Sequence, residues 1–269
     1  MGTSKLAGFT IIETMLFLAI SGMLVVSMLI GVGASVNVQR YRDAGESFKS
    51  LIQEQYADLN SVQNSRDDNW SCGSDAIPVN GGSGTQIRGQ SSCVLIGKYL
   101  QVKNGDISVF RVVGYKISSG TYLNDDIASL KNNYLLNVVQ DTVDISTLEW
   151  GTRISYPVVR DGVANPYPTP RSLGILFVRS PDSGQIYTFS NNDGDVPAPA
   201  DITPLTFANM LVGGNTIPGQ GAQLICIDTN GLFVSNDRAV YLSAFASGAS
   251  AVEIRSNDYM TSIGQAAKC

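Results

Sequence analysis

Between Thr14 and Gln39 no side chain carries a charge, and apolar residues run almost without interruption to Val36. A helix of roughly twenty apolar residues crosses a bilayer, so this run is long enough to span one. Beyond it the chain turns polar but keeps a helical stripe. Val38, Tyr41, Gly45, Phe48, Ile52, Leu59 and Val62 recur at three- and four-residue steps with Tyr56 close by, while Lys, Arg, Asp and Glu fill the other face. No proline interrupts residues 9 to 64, and one helix over that range would be about 80 Å long. The pattern divides the chain into a short N-terminal stretch (1–8), an apolar helix (9–36), its amphipathic continuation (37–64), a loop (65–92) and a β-rich head (93–269).

Within the head, β-branched and aromatic residues between turn signals predict strands at Val94 to Val102, Ile107 to Ile117 and Arg153 to Val159. Leu173 to Arg179 and Gln185 to Ser190 flank Ser180-Pro181-Asp182-Ser183-Gly184, a hairpin turn by composition. Further strands are expected at Gln223 to Asp228, Leu232 to Val234, Ala239 to Ala244 and Ala251 to Arg255. Ile127 to Val139 is ambiguous, with a short helix as one reading, and Thr203 to Val212 starts like a helix. Asn80-Gly81-Gly82-Ser83-Gly84 marks a loop, and no Lys-Ser/Thr follows to make it a phosphate cradle. The expected fold is α+β: a long N-terminal spine helix, membrane-spanning in its first half, laid on a mostly antiparallel sheet.

Composition narrows the chemistry. The chain has no histidine, which removes the commonest general base and His-ligated metals. Its net charge of −5 argues against a surface that coats nucleic acid. No nucleophile elbow is present. The carboxylate pairs Asp125-Asp126 and Asp193-Gly194-Asp195 read as solvated turns rather than a glycosidase site. Asn191 to Asp195 and Asp228-Thr229-Asn230-Gly231 lack the spacing of a calcium loop. Tyr115, Tyr122 and Trp150 read as core aromatics. No catalytic, cofactor or metal residue is assigned, and the chain is not read as an enzyme. The four cysteines, Cys72, Cys93, Cys226 and Cys269, all follow the apolar run; their even number and the lack of a C-x-x-C pair suit disulfides in an oxidising compartment.

The residue that a plain anchor leaves unexplained is Glu13, an acid at the head of the apolar run. A charge at the centre of a membrane helix costs about 2.5–3.5 kcal/mol on insertion scales, and such residues usually carry a function. A secretory signal cleaved near Val32-Gly33-Ala34 would leave it unexplained too, with an overlong apolar region. The stretch Gly8-Phe9-Thr10-Ile11-Ile12-Glu13, behind a leader whose only charge is Lys5, resembles the prepilin N-terminus of type IV pilins and type II secretion pseudopilins. Ala19 and Gly22 match the same pattern, which covers residues 5 to 36. Many pilins carry a proline late in the run; here Ile30 stands there, with Gly31 and Gly33 beside it. Ser27, Gly31 and Ser35 form a stripe of small residues, which routine membrane-helix composition and close helix–helix packing explain equally well.

The resemblance implies a set of expectations. Prepilin peptidase cuts after Gly8, and Phe9 becomes the N-methylated first residue. Glu13 then pairs with the freed amine of a neighbouring subunit during filament assembly. The precursor sits in the cytoplasmic (inner) membrane as a single-pass protein with its C-terminus outside, and the mature chain enters an extracellular filament. Arg40 and Arg42 on the outer flank make the positive-inside rule weak here, and the leader and cysteines decide the orientation. Four cysteines allow three pairings; Cys72–Cys93 with Cys226–Cys269 is favoured, since it closes the Gly/Ser loop and pins residue 269 to a strand, the latter resembling the disulfide-closed C-terminal region of pilins. Expected partners are other pilin subunits, prepilin peptidase, the pilus assembly platform and the membrane, with a host surface or DNA at the filament. Adhesion, motility, DNA uptake and secretion stay open. The size of the head inclines towards a minor or tip subunit, whereas Glu13 suits the shaft. The rival from another class is a single-pass anchored ectodomain, binding or hydrolytic, that never polymerises.

Overall fold

A computed structural model describes residues 10–61, 70–80, 91–103, 105–117, 125–160, 163–164, 169–191, 221–229, 238–263 and 267–269. Its first element, α1, is a single helix over Ile11–Ser61, 51 residues and about 75 Å long at 1.5 Å per residue. Thr10 opens it: the Glu13 N–H donates to Thr10 Oγ1 at 3.3 Å and to the Thr10 carbonyl at 3.1 Å, a side-chain cap on an otherwise orphan donor.

The two halves of α1 live in different surroundings. From Thr10 to Gln39 no residue is buried. From Tyr41 onward one face is: Tyr41, Ala44, Gly45, Phe48, Ile52, Gln55, Tyr56 and Leu59. Those positions keep the three- and four-residue step that aligns side chains on one face of a helix. The stripe read from sequence is thus the buried stripe, with Val38 left at the exposed edge and Val62 outside the described residues.

The β elements follow: β1 (Trp70–Cys72), β2 (Pro78–Asn80), β3 (Cys93–Lys103), β4 (Asp106–Lys116), β5 (Tyr134–Thr147), β6 (Arg153–Ser155), β7 (Val159–Arg160), β8 (Val163–Ala164), β9 (Leu173–Arg179), β10 (Ile186–Asn191), β11 (Gln223–Asp228), β12 (Arg238–Leu242) and β13 (Val252–Ser256). Helix α2 (Asp126–Asn133) precedes β5, and α3 (Asn257–Ser262) follows β13. Among the described residues β10-β9-β3-β4-β5 form one sheet and β13-β12-β11-β6 another, with every neighbouring pair antiparallel. The fold is α+β.

The second half of α1 packs against both sheets. Tyr41, Phe48, Ile52, Tyr56 and Leu59 share one core with Leu100, Val109, Ile175 and Phe177 of the larger sheet and Ile225, Ile227, Val240 and Val252 of the smaller. The opposite face of the larger sheet holds a second core under α2, where Leu130 meets Tyr99, Val112, Leu136 and Phe189. A third cluster, Cys226, Ala239, Met260 and Cys269, lies behind the smaller sheet. Strands β3 and β9 are buried on both faces, so their apolar runs are nearly continuous.

Several elements differ from expectation. Within residues 65–92, read as a loop, β1 and β2 pair as a short antiparallel ladder. The ambiguous stretch from Ile127 divides: helix ends at Asn133 and a long strand starts at Tyr134. The strand expected over Arg153 to Val159 stops at Ser155. Leu232 to Val234 and Thr203 to Val212 lie outside the described residues.

Candidate membrane and assembly interface

The first half of α1 is the one helix among the described residues long and apolar enough to cross a membrane. Its large side chains project into open space, with Phe17 71% and Met23 78% exposed. Three of the hydroxyls on it are turned back onto the helix. Thr14 Oγ1 donates to the Ile11 carbonyl at 2.9 Å, Ser21 Oγ to Phe17 at 2.8 Å and Ser27 Oγ to Met23 at 2.5 Å. Polar groups satisfied within their own helix require no water, which is the condition for lying in hydrocarbon. A Cβ added at Gly22, Gly31 or Gly33 would meet nothing within 4 Å. Ser27, Gly31 and Ser35 are all exposed, so the small-residue stripe packs against nothing else in this chain among the described residues.

Glu13 stands in the first turn of α1, where a carboxylate complements the positive end of the helix dipole. Among the described residues it has no ion-pair partner. Gly8 and Phe9, the expected cleavage and methylation positions, lie outside the described residues.

The second half of α1 is fastened to the head by polar contacts as well as by its buried stripe. Tyr41 Oη donates to the Arg238 carbonyl at 3.1 Å and accepts the Arg238 N–H at 3.0 Å. Ser47 Oγ donates to Glu149 Oε1 at 3.1 Å, and Gln53 Nε2 donates to the Ala249 carbonyl at 3.0 Å. Asp58 pairs with Lys98 of β3. Tyr56 Oη lies 2.8 Å from Thr188 Oγ1 in the core. Burial pushes its phenol up to about 12, with the Thr188 hydrogen bond acting in the opposite direction.

Both favoured disulfides are present: Cys72–Cys93 joins β1 to β3, and Cys226–Cys269 ties the last residue to β11. The acids weighed for chemistry are occupied by structure. Asp125 caps α2 by accepting the Ile127 N–H at 3.0 Å. Asp126 accepts from Ser183 and, at 2.9 Å, from Tyr187, which fastens the β9–β10 turn to α2. Burial alone would raise the Asp126 carboxyl; hydrogen bonds from Ser183, Tyr187 and Ser180 outweigh it and hold the group below its usual range. Asp228, weighed as a calcium ligand, is buried and accepts from Arg153 Nε at 2.6 Å. Asp193 and Asp195 lie outside the described residues.

One expectation about aromatics is corrected. Trp150 is not in the core: it is 52% exposed, in a tight turn over Glu149–Gly151 with φ of +59°. Arg40 of α1 lies over its ring, 4.8 Å from the centroid. Tyr115 is half-buried and Tyr122 lies outside the described residues. Comparison with protein-family models, characterised proteins and solved structures finds no match to this chain.

Proposed function

We propose that this chain is a pilin or minor-pilin subunit of a type IV pilus-like filament, processed after Gly8 and assembled through α1. The observation that carries this reading is the division of one unbroken helix. Half of it is core for a head closed by two disulfides, and half is bare, apolar and led by the lone acid Glu13. Bare apolar surface of that length is covered by lipid or by like helices. A carboxylate there is strongly unfavourable unless compensated. Cleavage after Gly8 creates an amine at Phe9, and that amine on a neighbouring subunit is the natural partner for Glu13. Pairing would then fix the axial register of successive subunits. The open space around Gly22, Gly31 and Gly33 leaves room for close helix–helix approach.

On this reading the precursor is a single-pass protein of the cytoplasmic membrane with the disulfide-bonded head outside. Its partners are the prepilin peptidase, the assembly platform and other pilin subunits, with a host surface or DNA contacted by the finished filament. N-terminal sequencing and intact mass of the native protein test it, and a methylated Phe9 start is expected. The Glu13→Ala chain is expected to be processed yet absent from sheared filaments. Native protein that retains Met1 and stays monomeric in the envelope would instead favour a non-polymerising anchored ectodomain, for which the same bare helix suffices.

A further inference from the structure

The exposed indole of Trp150, the strained turn beneath it and Arg40 at the end of the apolar run occupy one place on the molecule; Arg42 stands at nearly the same level of α1, about 200° around its axis. Arg40 is one turn of α1 beyond Val36, about 6 Å along the axis. Its guanidinium covers one face of the Trp150 ring at 4.8 Å. Ser47, two turns further from the apolar run, holds Glu149 at 3.1 Å, so the indole lies on the side of the turn nearer the apolar half. The flanking Leu148 and Thr152 are buried. Between these anchors Trp150 and Gly151 take φ of +59° and +68°, the left-handed region that a bulky residue rarely adopts. Strain retained to hold a large aromatic in the open is a pointer to use rather than to packing. Of the nearby acids, Glu46 is paired with Lys49 at 3.1 Å, whereas Glu149, which accepts from the Ser47 hydroxyl, keeps its charge. Asp43 is exposed beside the exposed Arg42.

We propose that Trp150 and Arg40, with Arg42 at the same level of α1, form a phospholipid-headgroup docking surface that seats the head on the membrane. The chemistry matches a single occupant. Tryptophan prefers the headgroup level, where its ring is apolar and its N–H wet. Guanidinium groups bind phosphate oxygens in a fork, and anionic lipid attracts such cations within a Debye length. The site lies where a bilayer spanned by the apolar half of α1 would end. It also gives the arginines on the outer flank a task that the positive-inside tendency does not. The inference rests on α1 crossing a bilayer, as in the proposed function, and holds for the precursor whether or not it later polymerises.

The test uses the full-length chain with Trp70→Phe, so that Trp150 is the sole tryptophan. It is reconstituted into phosphatidylcholine vesicles with or without phosphatidylglycerol. Lipids spin-labelled near the headgroup are expected to quench Trp150 about twofold more than lipids labelled deep in the chains. The difference should be larger with phosphatidylglycerol and shrink in Arg40→Gln/Arg42→Gln. In the chain without substitutions, amide exchange across residues 148–152 should slow when phosphatidylglycerol is added. Protein that floats with the vesicles yet shows no headgroup-level quenching and unchanged exchange overturns the docking site alone. Protein that does not float overturns it together with the membrane-spanning reading.

Discussion

Tyr56 has two contacts that pull on different parts of its ring. The ring packs edge-on against Phe177 at 5.0 Å, and the hydroxyl reaches Thr188 at 2.8 Å. Tyr56→Phe keeps the first contact and leaves a buried Thr188 hydroxyl without its partner. Such a group costs about 1–3 kcal/mol, and chemical denaturation should show a loss in that range. The double variant Tyr56→Phe/Thr188→Val, which removes both polar atoms, should lose less than the two single changes summed. The same phenol sets an alkaline limit. Its folded pKa of about 12 lies above the ordinary 10.0, so its contribution is complete below pH 10 and is lost as pH rises through about 12. Tyr187, also pushed up to about 12, by burial and by the Asp126 carboxylate, acts with the same sign. Over that interval denaturation midpoints should fall as tyrosinate absorbance rises. At this scale the sequence showed what was chemically out of place: an acid before an apolar run, and four cysteines beyond it. It did not show Trp150 as an exposed residue, because tryptophan is more often buried than not and the left-handed turn that brings it into the open is set by the tertiary fold.

Among the elements, β3 shows how closely the larger sheet is built. Its register against β4 shifts between Leu95 and Gly97, and Gly97 faces Val178 of β9. A Cβ at Gly97 would sit 2.2 Å from the Phe177 carbonyl oxygen, a backbone atom that cannot swing aside. Gly97→Ala should cost about 1–3 kcal/mol, as overpacking does, and lower the urea midpoint while leaving the m-value unchanged. The strands that β-branched and aromatic content between turn signals revealed are those with nearly complete burial, such as β9 and β11. Strand β5 was hidden for a physical reason. Opposite it, Phe110 pairs with Val143 but Arg111 pairs with Val139, so extra residues interrupt the two-residue period. Asn137, Gln140 and Asp141 further dilute the apolar signal, and pairing with β4 overrides it. The change from α2 to β5 at Tyr134 likewise has no local marker beyond the end of the Asp125-capped helix.

At the scale of the molecule the disulfides close loops of different length, with sequence separations of 21 for Cys72–Cys93 and 43 for Cys226–Cys269. The chain-entropy model gives about 3 and 4 kcal/mol respectively, a narrow gap because closure entropy grows only logarithmically. Replacing each pair by alanine should therefore lower the melting temperature by comparable amounts. Thermal scans of the two double variants check this, and a far larger loss for Cys72→Ala/Cys93→Ala would show that the β1–β3 tie does more than restrict the unfolded chain.

The continuity of α1 through both environments has a mechanical side. Tension applied to the bare half travels along one hydrogen-bonded rod and arrives in the core as shear on the buried stripe from Tyr41 to Leu59. No hinge stands between the two to absorb the load. Withdrawing the helix would strip both sheets of their common core at once, so the head should resist pulling until it fails as a unit rather than by stepwise peeling.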